Sequence, residues 1–264
     1  MAEPLVLTER VGACLRVTLN DPVRRNALSP DLLDALLSAL DEGTTDDVRV
    51  VVLTGAGPAF SVGGDLALRA TGRGLLTPDR HESRARVRRA ERSIELLAEM
   101  APVTVAAING ACAGAGLSLA SICDLRIAAA NARFNTAFLT AGVSGDFAGI
   151  WSVTRLLGPG RARELFLLPG RFDAARAAEV GLVSEVVAAE AFESHIREVV
   201  QRLVDCAPLA LKAMKQNLVD AERLALSDYL DAECERYLDT GTSADSIEAA
   251  RAYLDKRPPT FTGA

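Results

Sequence analysis

Two largely apolar runs, Val48 to Thr54 and Val103 to Ile108, constrain this chain more than any other feature. Each reads as a strand buried on both faces, the pattern of a parallel sheet, and each ends in a glycine-bearing loop, Gly55-Ala56-Gly57 and Asn109-Gly110. Ahead of them, Ser29-Pro30-Asp31 supplies an N-cap, a first-turn proline and a first-turn acid. Leu32, Leu33, Leu36, Leu37 and Leu40 then recur at helical spacing and stop at Gly43. Strand, helix and strand in succession imply an α/β core.

The flanking segments extend this plan. Leu5 to Thr8 and Cys14 to Leu19 alternate around Val11-Gly12 as a hairpin, and Leu125 to Ala129 reads as a short strand. Helices are expected at Arg161 to Leu168, Ala174 to Val180 with Gly181 as C-cap, Phe192 to Val204, Leu209 to Leu224, Asp228 to Leu238 and Ser243 to Leu254. From about Ala207 onward there is no strand candidate. The expected division is a main unit over residues 1–200 and a helical appendage over 201–264.

Composition narrows the function classes. Lys and Arg number 29 against 35 Asp and Glu, a net charge of -6 that argues against an overall basic nucleic-acid binder. Arg80, Arg84, Arg86, Arg88, Arg89 and Arg92 form a local basic run, read as the solvated face of a helix. With 49% hydrophobic and 24% charged residues, the chain has the mix of a protein that buries a large core. No leader is legible in MAEPLVLTER and no run approaches the ~18 apolar residues of a membrane span, so a cytoplasmic protein is expected. Cys14, Cys112, Cys123, Cys206 and Cys234 lie far apart without a CxxC pair and read as buried free thiols. His81 and His195 have no companion at metal-ligand spacing, so no metal is expected. Trp151 and Phe147 read as core or pocket wall.

Two glycine-bearing segments carry chemistry. In Phe60-Ser61-Val62-Gly63-Gly64-Asp65-Leu66, the glycines allow close approach of the main chain to a ligand oxygen and Asp65 stands where a helix begins. On its own the segment is also an ordinary turn with Asp65 as N-cap. The second segment, Asn109 to Leu117, again lies between a strand and a helix and offers a second N–H. Its Gly114-Ala115-Gly116 imitates a dinucleotide fingerprint. Only about seven residues separate Gly116 from Asp124 and the next strand, however, too few for a right-handed crossover.

These segments, with Asn20-Asp21-Pro22, Arg25-Asn26-Ala27-Leu28, Cys123-Asp124 and Ala177 to Val183, resemble in order and spacing the crotonase superfamily, also called the enoyl-CoA hydratase/isomerase family, over almost the whole chain. The resemblance implies a spiral of ββα repeats with a C-terminal helical trimerisation region. It also implies a homotrimer or dimer of trimers and an acyl-CoA thioester substrate, with coenzyme A entering only as part of that substrate and no other cofactor. In the family two backbone N–H groups hold the thioester enolate; by position these are Gly64 and Ala115. Arg24, Arg25 and Ala27 of the first loop, with Gly63, Asp65, Leu66 and Phe138, resemble its substrate and CoA contacts. The two arginines read equally as solvated loop residues. Lys256, ahead of Phe261, resembles the lysine that reaches a neighbouring subunit's CoA.

The departures bear on the reaction. Where family hydratases carry two glutamates, this chain has Ser118 and Phe138. A phenyl ring transfers no proton and a serine hydroxyl is a poor base, so two-glutamate hydration lacks its carboxylates. Ser118 also reads as a small polar helix position. Gly142 to Gly149 instead brings Asp146 to the acyl site, where it resembles the single aspartate of isomerases that move a double bond from C3 to C2; its other reading is a turn former. Isomerisation with Asp146 as base is the leading expectation and hydration of a 2-enoyl-CoA the alternative. A non-catalytic acyl-CoA binder is the alternative of another class.

Overall fold

Residues 3–264 are described in a computed structural model. The amino-terminal hairpin forms as its alternation predicts. β1 (Val6–Val11) and β2 (Cys14–Leu19) pair antiparallel, with Gly12 at φ +57 in the turn. The Ser29 hydroxyl accepts the Leu32 N–H and so caps α1 (Pro30–Asp41), which buries Leu32, Leu33, Leu36 and Leu40.

The chain then winds through similar turns. The first comprises β3 (Val50–Gly55), β4 (Ala59–Ser61), α2 (Leu66–Ala70) and α3 (Arg80–Glu99). The second is β5 (Val103–Ile108), β6 (Ala111–Ala113) and α4 (Ala115–Ile122), and the third β7 (Leu125–Ala129), β8 (Arg133–Asn135) and α5 (Gly149–Leu167). After these come β9 (Phe172–Asp173), α6 (Ala174–Glu179) and β10 (Glu185–Val187). Each turn delivers its first strand to a six-stranded sheet ordered β1-β2-β3-β5-β7-β10 and its second to a four-stranded sheet ordered β4-β6-β8-β9. Only the β1–β2 and β8–β9 pairs are antiparallel. This is the expected ββα spiral.

Burial on both faces explains the continuous apolar runs. In β3, Val51 and Leu53 pack with the α1 leucines. Val50 and Val52 point the other way, joining Val105, Ala107 and Ile127 beneath Phe192 and Ile196 of α7 (Phe192–Val204). Three further helices, α8 (Pro208–Ala221), α9 (Leu226–Gly241) and α10 (Ala244–Asp255), complete the described chain, in which no strand follows β10. α8 is anchored by the buried Lys215, whose Nζ donates to an Asp124 carboxylate oxygen at 2.8 Å and to the Pro102 carbonyl at 2.7 Å.

Several expectations need correction. The helix predicted from Arg161 begins at Gly149; Gly158 (φ 76, ψ 162) and Pro159 kink it and break the periodicity that would have revealed its first half. Cys14, Cys112 and Cys123 are buried, and burial pushes the Cys14 thiol up to about 11. Cys206 and Cys234 are exposed, because no second layer covers the carboxy-terminal helices in the described residues. Trp151 is 41% exposed on α5 with the Arg155 guanidinium 3.7 Å above its ring, so it is not core, and it does not line the cavity that holds Asp146. The basic run lies on α3, where Arg86, Arg88, Arg89 and Arg92 pair with Glu82, Glu91, Glu95 and Asp34, as a solvated helix face should. No helix among the described residues is long and apolar enough to cross a membrane.

Candidate active site

A cavity of about 550 Å³ opens between the β4–α2 loop, the start of α4 and the loop that precedes α5. Gly64 and Ala115 both line it. The bridge between Leu28 and Gly64 runs through the Leu28 N–H to the Gly63 carbonyl and the Asp65 N–H to the Leu28 carbonyl, which leaves the Gly64 N–H out of the ladder. Ala115 is the first residue of α4, so its N–H has no intrahelical acceptor and stands at the positive end of a buried helix.

The closeness of the two segments is visible at Gly63. A Cβ built there would lie 2.6 Å from the Ala113 carbonyl oxygen and 3.1 Å from the Ala115 nitrogen, and its φ of +87° suits glycine. Gly116 is equally constrained, because a Cβ on it would come 2.5 Å from the Ser61 carbonyl oxygen. Asn26, fully buried, fixes the first loop by donating from Nδ2 to the carbonyls of Ala56, Ala59 and Phe60. The result is a pair of main-chain donors fixed in a cavity with apolar walls.

The named side chains fall into distinct environments. Asp65 caps α2 through the Leu68 N–H at 2.9 Å and takes the Arg24 guanidinium at 2.8 Å, so its carboxylate is engaged. Arg24 is further tied to Asp21, while Arg25 occupies the left-handed region at φ 54. Leu66 and Phe138 line the cavity, Phe138 stacking on Phe166 at 6.0 Å, whereas Ala27 is buried outside the lining, next in sequence to Leu28, which does line it. Lys256 is exposed at the left-handed C-cap of α10, far along the chain from these loops. Ser118 does not line the cavity; its buried hydroxyl donates to the Asp146 main-chain carbonyl at 3.1 Å.

Asp146 is the reactive candidate. It lines the cavity from a loop in which Phe147 and Ala148 take φ of 48° and 55°, and its Oδ1 is buried with no hydrogen-bond partner. Burial, then the nearby Glu91 carboxylate, pushes its pKa up to about 6, with Arg69 pulling the other way. Glu91 and Arg69 both line the cavity and neither was singled out from sequence. Glu91 was hidden inside the arginine run of α3, and Arg69 sits on a helix only five residues long. Among the described residues no group of His, Cys, Asp and Glu is arranged to hold a metal ion.

A family model described as enoyl-CoA hydratase/isomerase matches residues 9–264. The chain is similar to the 1,2-epoxyphenylacetyl-CoA isomerase of Escherichia coli, with 34% identity over 98% of each protein. It is also similar to the short-chain-enoyl-CoA hydratase of Clostridium acetobutylicum, with 31% identity over 96% of this chain and 95% of that one. The crystal structure of enoyl-CoA hydratase from Bacillus anthracis superposes with a TM-score of 0.91 at 29% identity, covering 98% of this chain and all of the other.

Proposed function

The chain belongs to the enoyl-CoA hydratase/isomerase family, and on that premise we propose that it binds an acyl-CoA thioester, holds its enolate between the Gly64 and Ala115 N–H groups, and moves a double bond from C3 to C2. The observation that carries this reading is the buried, unpartnered Oδ1 of Asp146 in the same cavity as the two amides. A non-catalytic binder has no use for such a group. Ionised Asp146 takes a proton from C2, and the electron pair moves through C1 onto the thioester oxygen. The dienolate is stabilised by two donors that need no reorganisation, and Asp146 returns the proton at C4. One carboxylate completes the cycle.

Hydration of a 2-enoyl-CoA is the second reading, favoured by the Glu91 carboxylate in the same cavity, which would serve as a second acid or base. Spectrophotometry separates the two: a 3-enoyl-CoA gains ultraviolet absorbance on conjugation, whereas a 2-enoyl-CoA loses it on hydration. The isomerase reading requires the first rate to exceed the second, and the reverse order would replace it. Acyl-CoA thioesters should raise the melting temperature and NAD(H) should not.

The proposed assembly is a trimer or its dimer packed through residues 201–264. Support comes from exposed apolar side chains on the carboxy-terminal helices, among them Leu230, Leu238, Tyr253 and Leu254. In this assembly Lys256 would reach a neighbour's CoA, and Arg24 would exchange part of its pairing with Asp21 for a CoA phosphate. A stable monomer by mass measurement at micromolar concentration would end this proposal.

A further inference from the structure

Two charged side chains lining the cavity have no strong partner among the described residues. Asp146 is one, and isomerisation uses it. Arg69 is the other. Its side-chain hydrogen bond, from Nη1 to the Ala141 carbonyl, is long at 3.4 Å, and it makes no ion pair with any described carboxylate. The other cavity carboxylates are held elsewhere: Asp65 by Arg24 and the Leu68 N–H, Glu91 by Arg88 at 2.7 Å.

The bond to Ala141 also locates the guanidinium. Ala141 belongs to the segment that leads into the Asp146 loop, and both residues line the cavity, so Arg69 reaches from α2 to the wall formed by that segment. The rest of the lining is largely apolar, including Leu66, Leu75, Val87 and Val143. A guanidinium offers five donors in a fixed fork and no acceptor. Half-buried in a largely apolar lining with one long bond, it is under-satisfied, and a hydrocarbon acyl chain drawn in beside it would strip its remaining water without replacing it. An oxygen on the acyl group would meet it.

We propose that Arg69 is a specificity-determining residue that receives a hydrogen-bond-accepting oxygen carried by the acyl group beyond the thioester. The substrates would then be acyl-CoA thioesters with an oxygen-bearing acyl group, carboxylate above carbonyl, in preference to plain hydrocarbon chains. Carboxylate ranks first because its two oxygens match the fork. The inference rests on the cavity being the acyl-CoA site.

The test compares kcat/KM for 3-enoyl-CoA thioesters of equal length that end in a methyl, a ketone or a carboxylate group. Wild type, Arg69→Met and Arg69→Lys are measured, with exposed Arg84→Met as a control for lost surface charge, and binding of each thioester is followed by calorimetry. Wild type should favour the carboxylate over the methyl chain by about 10- to 100-fold, the range expected of a charged hydrogen bond, with the ketone between. Arg69→Met should collapse that ratio to about unity, chiefly through KM. Arg69→Lys should keep part of it, and Arg84→Met all of it. Equal use of the three chains by wild type, or an unchanged ratio in Arg69→Met, overturns the inference and leaves the enolate reading standing. Failure to bind or convert any of the thioesters would instead remove the enolate reading on which the inference rests.

Discussion

The Ser118 hydroxyl donates to the main-chain carbonyl of Asp146 at 3.1 Å, and the same carbonyl accepts the Gly149 N–H at 3.0 Å. The backbone carrying Asp146 is thus pinned between α4 and α5. The fit is tight, because a Cβ on Gly149 would lie 2.2 Å from the Ser118 Oγ. The role proposed for Ser118 is to position Asp146, its hydroxyl being engaged away from the cavity. Ser118→Ala should cost about 1 kcal/mol of stability, the worth of one buried hydrogen bond, and lower kcat by less than about tenfold. A thermal melt and a turnover assay on the same variant check both figures.

Asp146→Asn keeps size and polarity but removes the proposed base. Isomerisation should fall by about 10²- to 10⁴-fold while thioester binding, read by calorimetry, persists. In the wild type, kcat/KM should rise with pH through about 6, because the base works only when ionised and burial holds its pKa there. A flat profile between pH 5 and 8 would exclude Asp146 as the base.

The same group has a stability consequence of opposite sense. Its carboxyl is raised from 3.8 to about 6 by folding, so the folded state binds its proton more tightly than the unfolded state does. Stability is therefore lost as pH rises from about 4 to about 6 and stays lost above, an amount on the order of 2 to 3 kcal/mol. Asp146→Asn escapes this loss. Its melting temperature should match wild type near pH 4 and exceed it at pH 8, so that one substitution inactivates the enzyme and stabilises the fold. Melts at the two pH values decide it.

How far the sequence reveals this molecule depends on which physical signal marks each part. Val50 to Leu53 and Val103 to Ile108 are apolar on both faces because both faces of the sheet are covered, and that burial is written directly in residue type. Gly63 and Gly116 are legible for a similar reason: backbone approaches of 2.6 and 2.5 Å to a would-be Cβ admit only glycine. The first half of α5 was hidden because Gly158 and Pro159 interrupt its period. Glu91, Arg69 and Lys215 carry no such mark. Glu91 is one charged residue among many along α3, Arg69 sits on a helix too short to show a period, and Lys215 is one of two lysines on α8; only the packing of distant segments turns each toward a cavity or an ion pair.

The proposed oxyanion pair can be tested without touching either donor. A Cβ at Gly63 would meet the Ala113 carbonyl at 2.6 Å and the residue would keep an unfavourable φ of +87°, so Gly63→Ala must push the β4–α2 loop away from α4. The Gly64 and Ala115 N–H groups then no longer converge. The expected loss is about 10²- to 10³-fold in kcat, the cost of removing one such donor, together with a lowered melting temperature. Gly160→Ala, at a site with nothing within 4 Å, should change neither. Unchanged kcat in Gly63→Ala would detach the loop from catalysis.

Lys215 tests how the carboxy-terminal helices are held to the core. Its ammonium is 5% exposed and joins Asp124 and the Pro102 carbonyl, while Asp124 also accepts the Thr104 N–H at 2.7 Å and the Thr104 hydroxyl at 2.9 Å. Lys215→Met fills nearly the same volume but leaves the Pro102 carbonyl without this donor and the Asp124 charge without its cation. Breaking one side of a buried pair is far more costly than exchanging both, and about 3 kcal/mol is expected here, since Asp124 retains some exposure and its Thr104 donors. For a chain of 264 residues that corresponds to a fall in melting temperature of about 6 to 10 °C. Salt should barely alter the difference, because a buried pair is little screened. The exposed pair of Lys212, on the same helix, with Asp46 of the loop before β3, at 3.6 Å, provides the contrast: Lys212→Met should shift stability by less than about 1 kcal/mol. Equal shifts for the two variants would mean that Lys215 fills space without anchoring α8.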